Sequence, residues 1–343
     1  MQGNLLTPTA WIKVVIVLIR INRRAYSQVR RKSPYFVSIN QNDMRLIIFS
    51  VCFLLLLSCK QKEVPANLET QIQEVFQQTE GTFAVAFKDL SSGKKLFINE
   101  KESFHAASTM KTPVMIEVYK QVGHGVLSLE DSVLVKNEFY SIVDSSVYQL
   151  TVGEDSEEAL YGQVGKKKAI KDLVYDMIIV SSNLATNLVI DLVDARKVTQ
   201  TMRQLGAPDI NVLRGVEDIK AFDLGMSNST TAFDLMVIFE KIAKGEAVNK
   251  KASEEMIEIL LDQKFNEIIP ALLPKEVKVA HKTGAITGVH HDSGIVFLPD
   301  GRKYILVLLS KELKDFDAGT EAMAKVSKLI YDDIISHSPT QSQ

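Results

Sequence analysis

The chain has 343 residues, 46% hydrophobic and 24% charged, with a formal net charge of −2. That length allows a sizeable core and exceeds what one small domain needs. The near-neutral sum hides a break in composition. Residues 1–43 hold five of the ten arginines, two lysines and a single acid, Asp43. From Lys60 onward, 28 lysines and 4 arginines face 41 acids, an excess of nine negative charges. A balance of that sign lacks the basic face of a nucleic-acid binder and argues against such a partner.

The break falls at Met44. Met44-Arg45 leads into the mostly apolar run Leu46 to Leu57, followed by Ser58-Cys59-Lys60. A short charged start, an apolar stretch of this length and a small residue at its end describe a signal peptide over 44–59. The stretch is too short for a permanent membrane helix, as is Val14 to Ile19 upstream. Because a signal peptide belongs at an N-terminus, translation is expected to start at Met44, with 1–43 an upstream extension. Leu56-Leu57-Ser58-Cys59 resembles the bacterial lipobox. That resemblance implies lipidation of Cys59 and an exported protein anchored at the periplasmic face of the bacterial envelope. Both cysteines, Cys52 and Cys59, lie in this segment. The exported part then has no disulfide and no cysteine-based metal site.

Residues 60–67 read as a polar tether to a domain over 68–337. Leu68, Ile72, Val75 and Phe76 recur at helical spacing. Thr82 to Phe87 and Leu96-Phe97-Ile98 read as strands around a turn at Ser91-Ser92-Gly93-Lys94. A helix is expected from Ser108, with Val114, Met115, Val118, Tyr119 and Val122 on its apolar side. Pro113 costs that helix one early hydrogen bond. The stretch Ser128 to Lys168 says least. Glu154, Asp155, Glu157 and Glu158 lack the ligand alternation and glycine of a calcium loop, and Lys166-Lys167-Lys168 reads as a solvated face.

Three helical stripes follow between Ala169 and Gly206, with Val180-Ser181-Ser182-Asn183 at the junction of the first two. Thr231 and Asp234 resemble a capping box for a helix through Ile242, and another helix covers about Ala252 to Leu261. Val277 to Ala280, Ser293 to Leu298 and Tyr304 to Leu309 read as strands, and a helix over about Gly319 to Ile335 closes the chain. The layout predicts an α+β fold: a five-stranded antiparallel sheet from the two ends (68–107 and 265–337), flanked by helices, with an all-α lobe inserted over 108–264.

Within that layout the chemistry gathers at Ser108-Thr109-Met110-Lys111. A hydroxyl and an amine three residues apart share one helical face. A helix N-terminus favours an anion forming at a carbonyl that Ser108 attacks. A buried Lys111 beside a second cation could stay neutral and accept the serine proton. The pattern S-x-x-K is weak alone: Ser91/Lys94 and Ser92/Lys95 match it in a turn, and Ser108 could equally be a helix cap. Two further patterns follow in order, Ser181-Ser182-Asn183 and the strand-end Lys282-Thr283-Gly284, which is the only K-[ST]-G in the chain.

S-x-x-K, S-D-N and K-T-G in this order are the signature of class A β-lactamases and penicillin-binding proteins. From Leu68 to Ile335 the chain resembles the class A β-lactamase-like serine hydrolases. The resemblance implies an acyl-enzyme on Ser108, with Lys111 its base and Ser181 a proton relay to the leaving nitrogen. Asn183 would hold the substrate amide, and Lys282 and Thr283 its carboxylate. Gly284 completes the third pattern, and the backbone N–H groups of Ser108 and Ala285 would form the oxyanion hole. No cofactor and no metal are implied, and a monomer is expected.

Two departures stand out. Ser182 replaces the Asp of the second pattern, which implies a shifted hydrogen-bond network. Glu217, 36 positions after Ser181, matches the glutamate that activates the deacylating water. But Asp218 replaces the proline after it and Ala221 the asparagine four residues on; a loop salt bridge of Glu217 to Arg214 is the other reading. His281, His290 and His291-Asp292 surround the third pattern, yet neither a zinc motif nor a G-x-S-x-G elbow accompanies them. The expectation is a serine β-lactamase acting on a β-lactam or a peptidoglycan-stem-like molecule. The rivals are a penicillin-binding D,D-peptidase or carboxylesterase that releases its acyl group slowly, and a non-catalytic envelope binding protein.

Overall fold

The computed structural model describes residues 67–337. The chain divides between residues 65 and 66 into two units, and the described residues all belong to the second. The readings of 1–43, of the signal segment 44–59, of Cys59 and of most of the tether lie outside them.

In chain order, helix α1 (Leu68–Phe76) is capped by Asn67, whose side chain accepts the Thr70 N–H. Strands β1 (Thr82–Asp89), β2 (Lys95–Ile98) and the two-residue β3 (Phe104–His105) follow. A 3-10 turn over Ala107–Met110 runs directly into α2 (Lys111–Gly123). The segment beyond holds four short strands, β4 (Ser132–Leu134), β5 (Phe139–Tyr140), β6 (Val147–Tyr148) and β7 (Lys167–Ala169). Then come α3 (Ile170–Ile179), α4 (Asn183–Val193), α5 (Ala195–Leu205) and the short α6 (Ile219–Asp223). Strand β8 (Ser229–Thr230), α7 (Ala232–Ala243) and α8 (Lys250–Leu261) lead to β9 (Lys278–Ile286), β10 (Val289–Phe297), β11 (Lys303–Lys311) and α9 (Phe316–Ser336).

Five strands form one antiparallel sheet in the order β2-β1-β11-β10-β9, so the two ends of the domain are stitched together by β1 against β11. Both faces are covered, which is why these strands read as nearly unbroken apolar runs. Alternate residues serve opposite cores. Phe83, Val85, Phe87, Leu306 and Leu308 join Ile72 of α1 and Met323, Val326 and Ile330 of α9. Ala84, Ala86, Ile305, Val307 and Leu309 face the helical side, where they join Val114 and Met115 of α2, Leu235 and Phe239 of α7, and the stripes of α3 and α4.

The sheet and its flanking helices are as the patterns predict, and the differences are local. Lys282-Thr283-Gly284 does not end its strand; β9 continues to Ile286, paired residue by residue with β10. Pro113 falls in the first turn of α2, where an N–H has no partner within that helix, so α2 loses nothing by it. Thr231 caps α7 by accepting the Asp234 N–H, but Asp234 does not return the bond. Its carboxylate instead accepts the N–H groups of Asp209 and Ile210. Lys168 is not simply solvated: it pairs with Asp176 at 2.6 Å, both half-buried.

Candidate active site

Ser108 lies in the 3-10 turn and Lys111 opens the helix it runs into. Ser108 caps nothing: the residue before that turn is Ala106, which makes no side-chain capping bond. Three separate elements hold the turn. The Ala106 N–H donates to the Asn228 carbonyl at 2.8 Å, and the Ala107 N–H donates to His105 Nδ1 at 3.0 Å. From the sheet, His291 Nε2 donates to the His105 carbonyl at 2.9 Å. Burial pushes His291 down to about 4, so it stays neutral at physiological pH and can act as that single donor.

Gly284 of β9 presses on the same turn. A Cβ placed there would lie 2.9 Å from the Ser108 nitrogen, 3.0 Å from the Thr109 nitrogen and 3.2 Å from the Ala107 Cβ. Only a residue without a side chain allows that approach. It brings the backbone of Gly284 and Ala285 beside the N–H of Ser108. Ala285 is exposed and Thr283 almost buried, so the strand turns from core to cleft over these three residues.

Lys111 and Lys282 are both fully buried, and both reach Ser181. Lys111 Nζ donates to the Ser181 carbonyl at 2.6 Å, to Ser181 Oγ at 3.1 Å and to Asn183 Oδ1 at 3.1 Å. Lys282 Nζ donates to Ser181 Oγ at 3.1 Å and to the Thr283 carbonyl at 2.9 Å. The Ser181 oxygen therefore accepts from two amines, leaving its own hydrogen to donate elsewhere. Burial lowers Lys111 to about 7, against an opposing pull from the negative charges of Asp155 and Glu217. Burial likewise holds Lys282 well below the usual lysine range, with Lys111 adding repulsion and Asp292 offsetting part of it. Three acceptors around Lys111 suit an ammonium. Losing one proton near neutrality frees a lone pair.

Glu217 joins this group. Asn183 Nδ2 donates to Glu217 Oε1 at 2.8 Å, and the Thr151 N–H donates to Oε2 at 3.3 Å. Burial raises the Glu217 carboxyl above its ordinary range, and the two hydrogen bonds moderate the rise. The alternative partner is engaged elsewhere: Arg214 donates to the carbonyls of Met226 and Gly215. Asp218, at the family's proline position, caps α6 through the Ala221 N–H and binds Ser141 Oγ and the Ile142 N–H.

Three residues of this cleft, Ala107, Ser181 and Glu217, have non-glycine backbones at φ 44°, 58° and 61°. Each such conformation costs of order 1–3 kcal/mol and persists only where its surroundings over-determine it.

Sequence reasoning missed the residues that do this. Asn187, buried on α4, accepts the Val216 N–H at 2.7 Å and donates to the Val216 carbonyl at 3.0 Å, pinning the loop before Glu217. Gly215 makes room for it, since a Cβ there would meet Asn187 Oδ1 at 2.3 Å. Asn228 holds Leu213 and Arg214 by its side chain and the Ser108 turn by its carbonyl. Asp155, from the stretch that carried least meaning, is nearly buried against the Asn183-Leu184 backbone. One signal was available for Asn187: it lies four residues beyond Asn183, on the same face of an otherwise apolar helix.

The histidines serve structure. His281 Nδ1 lies 2.9 Å from Asp292 Oδ1, both buried, and Asp292 Oδ2 accepts the Ile269 N–H.

Among solved structures, the chain resembles a β-lactamase from Sphaerobacter thermophilus, with TM-score 0.66 and 25% identity over 79% of this chain and 98% of that one. It also resembles PBP-A, with TM-score 0.68 and 26% identity over 79% and 97%. Among curated proteins it is 22% identical to β-lactamase VEB-1 of Pseudomonas aeruginosa, covering 83% of this chain and 95% of that protein. To the extended-spectrum β-lactamase PER-1 of the same organism it is 23% identical, covering 81% and 92%. Residues 67–334 match the family model described as the β-lactamase enzyme family. With that match, and with the sheet-and-helix fold the likenesses share, the chain belongs to the β-lactamase enzyme family, within the penicillin-recognising serine enzymes.

Proposed function

We propose that this protein is a serine β-lactamase of the class A kind, opening the lactam amide through an acyl intermediate on Ser108. The observation that carries the reading is Ser181 Oγ, held 3.1 Å from Lys111 Nζ and 3.1 Å from Lys282 Nζ beside the Ser108 turn. The substrate carboxylate binds Lys282 and the Thr283 hydroxyl, and its negative charge keeps Lys282 protonated. Neutral Lys111 takes the Ser108 proton as Oγ attacks the lactam carbonyl. The developing oxyanion lies at the N–H groups of Ser108 and Ala285; each such donor contributes about 3–4 kcal/mol in comparable sites. The C–N bond breaks, and Ser181 passes a proton from Lys111 to the leaving nitrogen. In the second half, Glu217 takes a proton from a water that attacks the ester, with Asn183 fixing the carboxylate; the acyl C–O bond to Ser108 then breaks and the proton returns from Glu217 to the serine oxygen.

A second reading has a specific motive. Ala221 stands where an asparagine would help hold that water, so release of the acyl group could be slow, as in a penicillin-binding peptidase. A variant of PBP-A, one of the similar structures, is described as an acyl-enzyme complex with penicillin G. Stopped-flow with a chromogenic cephalosporin separates the readings. Sustained turnover supports the lactamase, a burst of one equivalent supports the peptidase, and no covalent adduct by mass defeats both. Export and anchoring through Cys59, with a monomeric domain at the periplasmic face, complete the proposal. Labelling of the full chain with a radioactive fatty acid tests the anchor, and no label on Cys59 defeats it.

A further inference from the structure

The second motif here lacks its carboxylate, yet the loop that carries it is held by one. Asp155 is nearly buried, and its two oxygens converge on the first turn of α4. The Asn183 N–H donates to both oxygens at 2.9 Å, and the Leu184 N–H donates to Oδ2 at 2.8 Å. The Tyr161 hydroxyl donates at 3.0 Å and the Glu157 N–H at 3.2 Å, while Ser182 Oγ lies 3.5 Å away. These are the free N–H groups of a helix start, where an anion is favoured both by hydrogen bonding and by the helix dipole.

Ser182 cannot do this work. Its short side chain already accepts the Ala185 N–H at 3.2 Å as the cap of α4, and it is fully buried. The residues on either side are the ones that matter chemically. Ser181, at φ 58°, presents its hydroxyl to both lysines, and Asn183 bridges Lys111 and Glu217. A strained serine keeps its position only if the next peptide groups are held firmly. Among the described residues, the carboxylate bound to those groups is that of Asp155.

We propose that Asp155, reaching in from a loop 27 residues before Ser182, supplies the carboxylate that S-D-N carries at its middle position, and so acts as a positioning residue for acylation. The inference rests on the β-lactam reading of the same cleft. It also explains why Ser182 is tolerated: the charge is supplied from another segment.

The test compares wild type, Asp155→Asn and the double variant Asp155→Asn/Ser182→Asp. The measurement is the rate of Ser108 acylation by benzylpenicillin, read by intact mass, with the melting temperature of each protein alongside. Asp155→Asn is expected to slow acylation about tenfold or more, since bonds to a charged acceptor are lost. Adding Ser182→Asp is expected to recover most of that rate. A second readout is the pH dependence. The Asp155 charge favours protonated Lys111, so removing it should move the acid limb of acylation to lower pH, and the double variant should move it back. If wild type is never acylated, the β-lactam reading fails. If wild type is acylated and Asp155→Asn matches it in rate and pH limb, that reading stands and the role of Asp155 is overturned. Slowing that Ser182→Asp does not reverse also overturns it.

Discussion

Asn183 Nδ2 donates to Glu217 Oε1 at 2.8 Å, and this one bond joins the helical junction that carries the proposed proton relay to the loop that carries the proposed water-activating base. Its Oδ1 meanwhile accepts from Lys111. One amide thus touches both halves of the proposed reaction. Glu217→Gln should leave acylation within a few-fold of wild type and slow deacylation by about 10²–10⁴, the usual contribution of a positioned general base. Acyl-enzyme would then accumulate in a mass spectrum after mixing with penicillin. Unchanged steady-state turnover would remove Glu217 from the mechanism.

The two steps should differ in their pH dependence. Lys111 must be neutral to accept a proton, and burial lowers it to about 7. Acylation should therefore rise through neutrality and level off above it. Deacylation needs ionised Glu217, whose burial raises it above the ordinary carboxylate range. It should fall at mildly acidic pH, earlier than a solvated glutamate would allow. Single-turnover rates of each step against pH check both, and an acylation rate flat through neutrality would count against neutral Lys111.

Gly284→Ala would place a methyl group 2.9 Å from the Ser108 nitrogen and 3.0 Å from that of Thr109. Both are backbone atoms in a turn tied down on three sides, so neither can move cheaply. The expected result is a loss of about 1–3 kcal/mol in stability, typical of overpacking, with acylation impaired more than substrate binding. Thermal melting and the acylation constant measured against penicillin concentration separate the two effects.

Asn187→Ala would leave the Val216 N–H without its partner and the Val216 carbonyl with only the Tyr148 hydroxyl at 3.3 Å, at a cost of about 1–3 kcal/mol for a group this poorly solvated. Because Val216 adjoins Glu217, deacylation should suffer more than acylation. Equal losses in both steps would mean that Asn187 stabilises the domain without aiming the loop.

His291 gives a stability signature. Its folded value of about 4 lies below the ordinary imidazole value of 6.5, so the unfolded chain binds the extra proton first. The stability this represents, about 3 kcal/mol by linkage, is complete above about pH 6.5 and is lost as pH falls toward 4. Denaturant unfolding of wild type and His291→Gln across that range checks it. The variant should show a shallower loss on acidification.

The sheet, the long helices and the order of the three motifs were legible because they depend on periodicity and spacing within short windows. Lys111, Ser181, Asn183, Glu217 and Lys282 are joined by hydrogen bonds, and the Ser108 backbone packs against Gly284, two residues after Lys282, a juxtaposition that no window of sequence contains. What escaped were residues whose meaning is entirely long-range. Asp155 reads as one acid among four until the fold carries it to α4. Asn228 is a polar residue in a link until its carbonyl and side chain are seen to serve two loops. The two-residue strands β3, β5, β6 and β8 are too short for alternation to register and exist because tertiary contacts hold them. The extension of β9 past Lys282-Thr283-Gly284 was hidden by its own glycine, which marks close packing here and not a turn.

The left-handed backbones at Ala107, Ser181 and Glu217 set a limit on how this protein can be made more durable. Glycine would relax each of them, but at Ser181 and Glu217 it would also delete the side chains assigned to the proposed relay and the proposed base. Only Ala107 offers ease without erasing chemistry, and there a looser hinge under Ser108 would exchange readiness for endurance. Engineers seeking heat resistance should therefore begin at exposed bends that carry none of these groups, such as Ser145 at φ 59°, and leave the tension in the cleft untouched.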